Sequence, residues 1–161
     1  MATPTYIALA TATLASSASS FTFSSIDQSY GDLVLVANYN PSTQGGHRLT
    51  LNNDNNSNYN MAIMTGFSGN ASSVARNNQS FFLNEVSDAG WHLNTYRIFD
   101  YSATDKHKSL LLTYNHANER PATEHQSGRY ASNSAVTSVT MFLNGGSFDP
   151  GSTFSLYGVA K

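Results

Sequence analysis

The chain of 161 residues contains no cysteine. Disulfides, thiolate zinc sites and cysteine nucleophiles are therefore excluded, and the redox compartment leaves no mark on the sequence. Charge is scarce as well. Only 11% of the residues are Asp, Glu, Lys or Arg, against about 25% in ordinary globular chains, and the formal net charge is −2. That balance excludes disorder driven by self-repulsion and argues against a nucleic-acid partner held by a broad basic surface. No stretch approaches the ~20 apolar residues of a membrane-spanning helix, so no membrane partner is expected. No window sustains helical 3.6-residue periodicity over three turns. A secretory signal is missing too: the first basic residue is Arg48, and Thr11 and Thr13 break the early apolar run.

What is present is β-rich sequence punctuated every ten residues or so by Ser, Asn and Gly. Alternation marks Val139, Met141 and Leu143 against Ser138 and Thr140, and Phe154 and Leu156 around Ser155. Strands are expected near residues 6–14, 20–25, 33–38, 48–52, 59–65, 80–85, 91–101, 109–115, 136–143 and 153–159. Leu33-Val34-Leu35-Val36 and Leu110-Leu111-Leu112 are apolar on both sides, which predicts central, doubly buried strands. Short strands at this spacing predict an all-β fold, a sandwich or barrel; the expectation is two antiparallel sheets, a β-sandwich, in a single domain over residues 1–161, with the first and last strands close together. A chain of this size buries roughly two thirds of its unfolded surface, so folding needs no metal or staple.

Few residues are spaced for chemistry. Asp54, Asn56 and Asn58 mimic the opening of a calcium loop, but the positions that require Gly and Glu are Tyr59 and Thr65. Asn52–Asn58 reads instead as a tight Asx-rich connection, because Asn and Asp tolerate left-handed backbone. His47, His92, His107, His116 and His125 lack the spacing of a zinc motif and read as surface or loop residues. Gly66-Phe67-Ser68-Gly69 is no nucleophile elbow. Glu85 and Asp88 resemble an exposed turn more than a glycosidase pair. No catalytic residue, metal site or cofactor is expected, and the chain does not read as an enzyme. Trp91, Tyr96 and Tyr101 are candidates for a flat glycan-binding platform, against the plainer reading that they alternate into the core.

Three segments carry a resemblance. The first is Ser19-Ser20-Phe21-Thr22-Phe23-Ser24-Ser25-Ile26 with Tyr30-Gly31-Asp32-Leu33-Val34-Leu35-Val36. The second is the run from Leu49 to Tyr59, and the third is Phe148-Asp149-Pro150-Gly151-Ser152-Thr153-Phe154-Ser155-Leu156-Tyr157-Gly158-Val159. Together they resemble small virion structural proteins of tailed marine and cyanobacterial phages and prophages. The chain departs from that pattern at Asp27, where the family has Pro, and is least similar over residues 76–125. The resemblance implies a jelly-roll-like structural module and brings no catalytic residues with it.

On that resemblance the expected function is a phage virion structural protein, a capsid decoration or cement protein on the shell surface, made in the host cytoplasm. The alternative is a tail- or spike-associated receptor- or carbohydrate-binding module. The first strand begins within a few residues of Met1 and no coiled-coil or collagen-like shaft precedes it, which favours the capsid over a fibre. The expected partners are the major capsid protein and further copies of this chain, as a homo-oligomer on the particle. Residues 6–14 contain no charge, proline or evident bulge, so they form an unguarded edge, with Tyr6, Ile7 and Leu9 the candidate shell or self-contact residues.

Overall fold

The computed structural model describes residues 4–67, 69–83, 90–116 and 122–161. Its twelve strands are β1 (Tyr6–Thr13), β2 (Ser20–Phe23), β3 (Asp32–Tyr39), β4 (His47–Leu51), β5 (Tyr59–Phe67), β6 (Asn70–Gln79), β7 (Phe82–Leu83), β8 (His92–Phe99), β9 (Lys108–His116), β10 (Ala122–Tyr130), β11 (Val139–Leu143) and β12 (Thr153–Val159). No described residue is helical. An eight-stranded sheet runs β1-β12-β3-β8-β9-β10-β5-β6 and a four-stranded sheet runs β2-β11-β4-β7. Every pairing is antiparallel. The chain crosses between the sheets repeatedly, giving a jelly-roll-like sandwich, and only the β5–β6 hairpin and the β8–β9–β10 meander stay within one sheet. Among the described residues no helix is long and apolar enough to cross a membrane.

The core lies between the sheets and is assembled by the two-residue period of each strand. Leu33, Leu35, Ala37 and Tyr39 point inward from β3, Tyr96 and Ile98 from β8, Leu110 and Leu112 from β9, and Leu49 and Leu51 meet them from β4. Phe154 is fully buried, stacked on Phe21 at 4.6 Å and edge-on to Phe148 at 5.1 Å. The first and last strands do pair, from Tyr6 opposite Val159 to Thr13 opposite Thr153.

Three local expectations are corrected. β3 and β9 are central but buried on one face only: Val34 and Val36 are half-buried, and Leu111 is 49% exposed. These side chains lie on the outer face of the large sheet, and no described element packs there. Second, β1 does contain a bulge. Ala8 faces Tyr157 and Ala10 faces Leu156, so Leu9 is an extra residue. The insertion switches the face parity, which turns Ala12 inward with Ile7 and Leu9. Third, β6 and β10 were not anticipated as strands. The inward side chains of β10 include Glu124 and Gln126, and β6 is exposed along most of its length, so neither presents an apolar alternation.

The Asx loop behaves as its composition predicts. Asn52 and Asn53 adopt left-handed backbone, at φ of 55° and 53°. Asn52 reaches across to the approach to β11: its Nδ2 donates to the Ala135 carbonyl at 2.8 Å, and its Oδ1 accepts from the Thr137 amide at 2.8 Å.

Candidate functional site

The sequence-derived candidates are dispersed. Trp91, Tyr96 and Tyr101 do not form a platform. Trp91 is 38% exposed, whereas Tyr96 and Tyr101 are 1% and 0% exposed. Trp91 has the parity of the outward Leu93, and a spacing of five residues puts Tyr96 on the opposite face. Tyr101 turns inward after β8, where its hydroxyl donates to the Asp27 carbonyl. Tyr6, Ile7 and Leu9 do lie on an edge strand, with Tyr6 54% exposed, but Ile7 and Leu9 point inward and are half-buried, Leu9 packing against the core. Glu85, Asp88 and Ser68 lie outside the described residues, as does the side chain of His116.

What the sequence did not disclose is a polar seam inside the sandwich. His47 on β4 and His92 and Asn94 on β8 are 2%, 3% and 0% exposed, which corrects their reading as surface groups. Alternation is the cause, since His92, Asn94, Tyr96 and Ile98 share the inward face of β8. The Tyr39 hydroxyl and His47 Nδ1 are 2.7 Å apart, and Asn94 Nδ2 donates to Tyr39 Oη at 3.2 Å and to His47 Nε2 at 3.0 Å. Burial, reinforced by the neighbouring His92, pushes the His47 pKa down to about 3. Tyr114 Oη and His92 Nδ1 form a second pair at 2.7 Å, and the ring of Tyr39 stacks on His92 at 5.1 Å. Nearby Glu124 accepts from the amide of Gln126, which also donates to the Leu83 carbonyl at 2.6 Å. Burial raises the Tyr39 and Tyr96 hydroxyls well above their ordinary pKa, so both stay protonated.

The seam ties the two sheets together, with His47 from the small sheet bonded to Tyr39 and Asn94 from the large one. Among the described residues no set of three or more His, Asp or Glu side chains is placed to hold a metal ion. Asp54 serves its own loop: its two oxygens accept from the Asn56 amide at 2.8 Å, Asn56 Nδ2 at 2.7 Å, Asn58 Nδ2 at 2.7 Å and Tyr130 Oη at 2.9 Å. Partial burial opposes ionisation there, but these donors outweigh it and hold the carboxyl below its usual range.

The segments that carry the phage resemblance have structural duties. Asp32 accepts from Arg97 at 2.9 Å and from the Asp100 amide at 3.0 Å. Gly158 lies under the ring of Tyr30, where an added Cβ would fall 2.4 Å from the nearest ring atom. Phe21, Phe148 and Phe154 form the aromatic cluster described above.

The most distinctive surface is the outer face of the large sheet. One row across it reads Tyr157, Val34, Arg97, Leu111, Ser127 and Ala62, and the next reads Ser155, Val36, Thr95, Thr113, His125 and Met64. Arg97, paired with Asp32, is the one arginine in these rows. Leu93, Leu111 and Met64 are 44%, 49% and 60% exposed on the same face. Comparison with protein-family models, with curated proteins and with solved structures finds no match to this chain.

Proposed function

We propose that this chain is a structural protein of a phage virion, a decoration or cement protein seated on the outside of the capsid. One observation carries the reading: a broad, sparsely charged sheet face that presents Leu93, Leu111 and Met64 to solvent. Apolar surface of that kind is characteristic of protein–protein contact. The phage-like segments at both ends and in the β4–β5 connection support the same reading. They build the framework, and the outer face draws heavily on the least phage-like stretch, residues 76–125.

The major capsid protein is the proposed partner of this face. Tyr6 on the neighbouring edge strand β1 extends the contact, while the inward Ile7 and Leu9 support it from beneath. The receptor-binding alternative loses its aromatic platform once Tyr96 and Tyr101 are buried. Quantitative mass spectrometry of purified virions tests the proposal. Hundreds of copies per particle that separate with the shell proteins are expected, falling sharply in particles made with Leu111→Glu. A handful of copies that remain with the tail would overturn it.

A further inference from the structure

The sheet edges differ in their capacity to accept another strand. The edges of the small sheet, β2 and β7, are four and two residues long, too short to pair stably. On the large sheet, β1 is interrupted at Leu9 by its bulge. The other edge, β6, is different. From Asn70 to Arg76 it follows β5 without a shift, and only beyond Arg76 do Asn77 and Asn78 stand opposite the single residue Asn60. Asn78 there has a φ of 55°, and its amide donates to Asn60 Oδ1 at 3.2 Å. The regular stretch is seven residues, about 23 Å of strand. It contains no proline and one charge, Arg76, and it is the longest regular open edge among the described residues.

We propose that β6 is a self-pairing edge. Two copies join antiparallel across a two-fold axis at Ser73, making one sheet of two eight-stranded halves. The register is self-complementary. Ala71 meets Ala75 of the second copy, Ser72 meets Val74, and Asn70 meets Arg76, so the single charge never faces itself. Ser73 meets its own copy at the axis, on the outer face beside Met64. The joint therefore continues the apolar outer face of one copy into that of the other. A two-fold contact also closes on itself, and the bulged β1 edge prevents open-ended growth from the other side. This pairing holds whether or not the protein rides on a capsid.

The test uses the purified full chain in sedimentation equilibrium over roughly 10 μM to 1 mM. The native chain is expected to dimerise. Ser73→Lys and Ser73→Asp each place like charges face to face at the axis and should weaken dimerisation at least about tenfold. Residue 73 is exposed, so both variants should keep the native far-UV spectrum and melting temperature. An equimolar mixture of the two should dimerise again, because Lys then faces Asp. A merely destabilising substitution would not be rescued by mixing. A native chain that stays monomeric throughout, single variants that dimerise as tightly as the native chain, or a mixture that stays monomeric would each overturn the proposal.

Discussion

Acid should weaken this protein through one buried ring. His47 sits between the sheets in contact with Tyr39 Oη and Asn94 Nδ2, where burial favours the neutral imidazole. Its pKa is about 3 in the fold, against an ordinary value of about 6.5 in the unfolded chain. Between those values the unfolded state binds a proton that the folded state does not. The contribution is therefore intact above the unfolded value and is lost as pH falls below it. Each pH unit below about 6.5 costs about 1.4 kcal/mol, so the loss is about 2.7 kcal/mol at pH 4.5. It levels off near 5 kcal/mol below roughly pH 3, a large share of the 5–15 kcal/mol typical of a domain. Other groups also titrate in acid, so the measurement is a difference. Urea unfolding of the native chain and of His47→Gln is followed from pH 7.5 to 4.5. At pH 7.5 the variant should be less stable by roughly 1–3 kcal/mol, because buried partners lose their hydrogen bonds. The gap should then close by about 1.4 kcal/mol per pH unit between pH 6 and 4.5. Asp54 does not blur this window, since its depressed pKa contributes stability that is lost only as pH falls below about 3.9. Parallel stability curves for the two proteins would refute the argument.

Other expectations follow from packing and hydrogen bonding. Phe154→Ala should cost about 3–5 kcal/mol in denaturant unfolding, because it removes a fully buried ring from the contacts with Phe21 and Phe148. Gly158→Ala should cost roughly 1–3 kcal/mol by driving a methyl into the Tyr30 ring; in a double-mutant cycle with Tyr30→Ala the cost should fall. Asp54→Ala leaves the Tyr130 hydroxyl and the Asn56 amide without their acceptor, and should lower the melting temperature by a loss of about 1–3 kcal/mol. Two hydroxyl deletions should contrast in the same assay. Tyr114→Phe breaks a buried pair with His92 and should destabilise by about 1–3 kcal/mol, whereas Tyr96→Phe removes a buried hydroxyl with no partner within hydrogen-bonding geometry among the described residues and should stay within about 1 kcal/mol of native.

The sequence by itself determined the class of fold and most of its strands. Alternation and turn residues are local signals, and they were strongest where one strand face is apolar and the other polar, as in β11 and β12. The left-handed Asn52 and Asn53 were legible for the same reason, since a residue's tolerance of positive φ belongs to its own side chain. The proximity of the first and last strands was also anticipated, and their pairing brings it about. Tertiary structure alone decided the rest. Whether Leu111 or Tyr96 is covered depends on which face of the large sheet the smaller one packs against, which no local window contains. The bulge at Leu9 was invisible because a bulge is a relation between two strands, and its consequence was to turn Ala12 to the same side as Ile7 and Leu9. β10 was missed because Glu124 and Gln126 occupy inward positions that alternation assigns to apolar residues. Such groups are tolerated inside only when partners from other strands satisfy them. The polar seam is the clearest case. His47, Asn94 and Tyr39 come from β4, β8 and β3: the pairing of β3 with β8 sets Tyr39 near Asn94, and the stacking of the small sheet on the large one brings His47 to both.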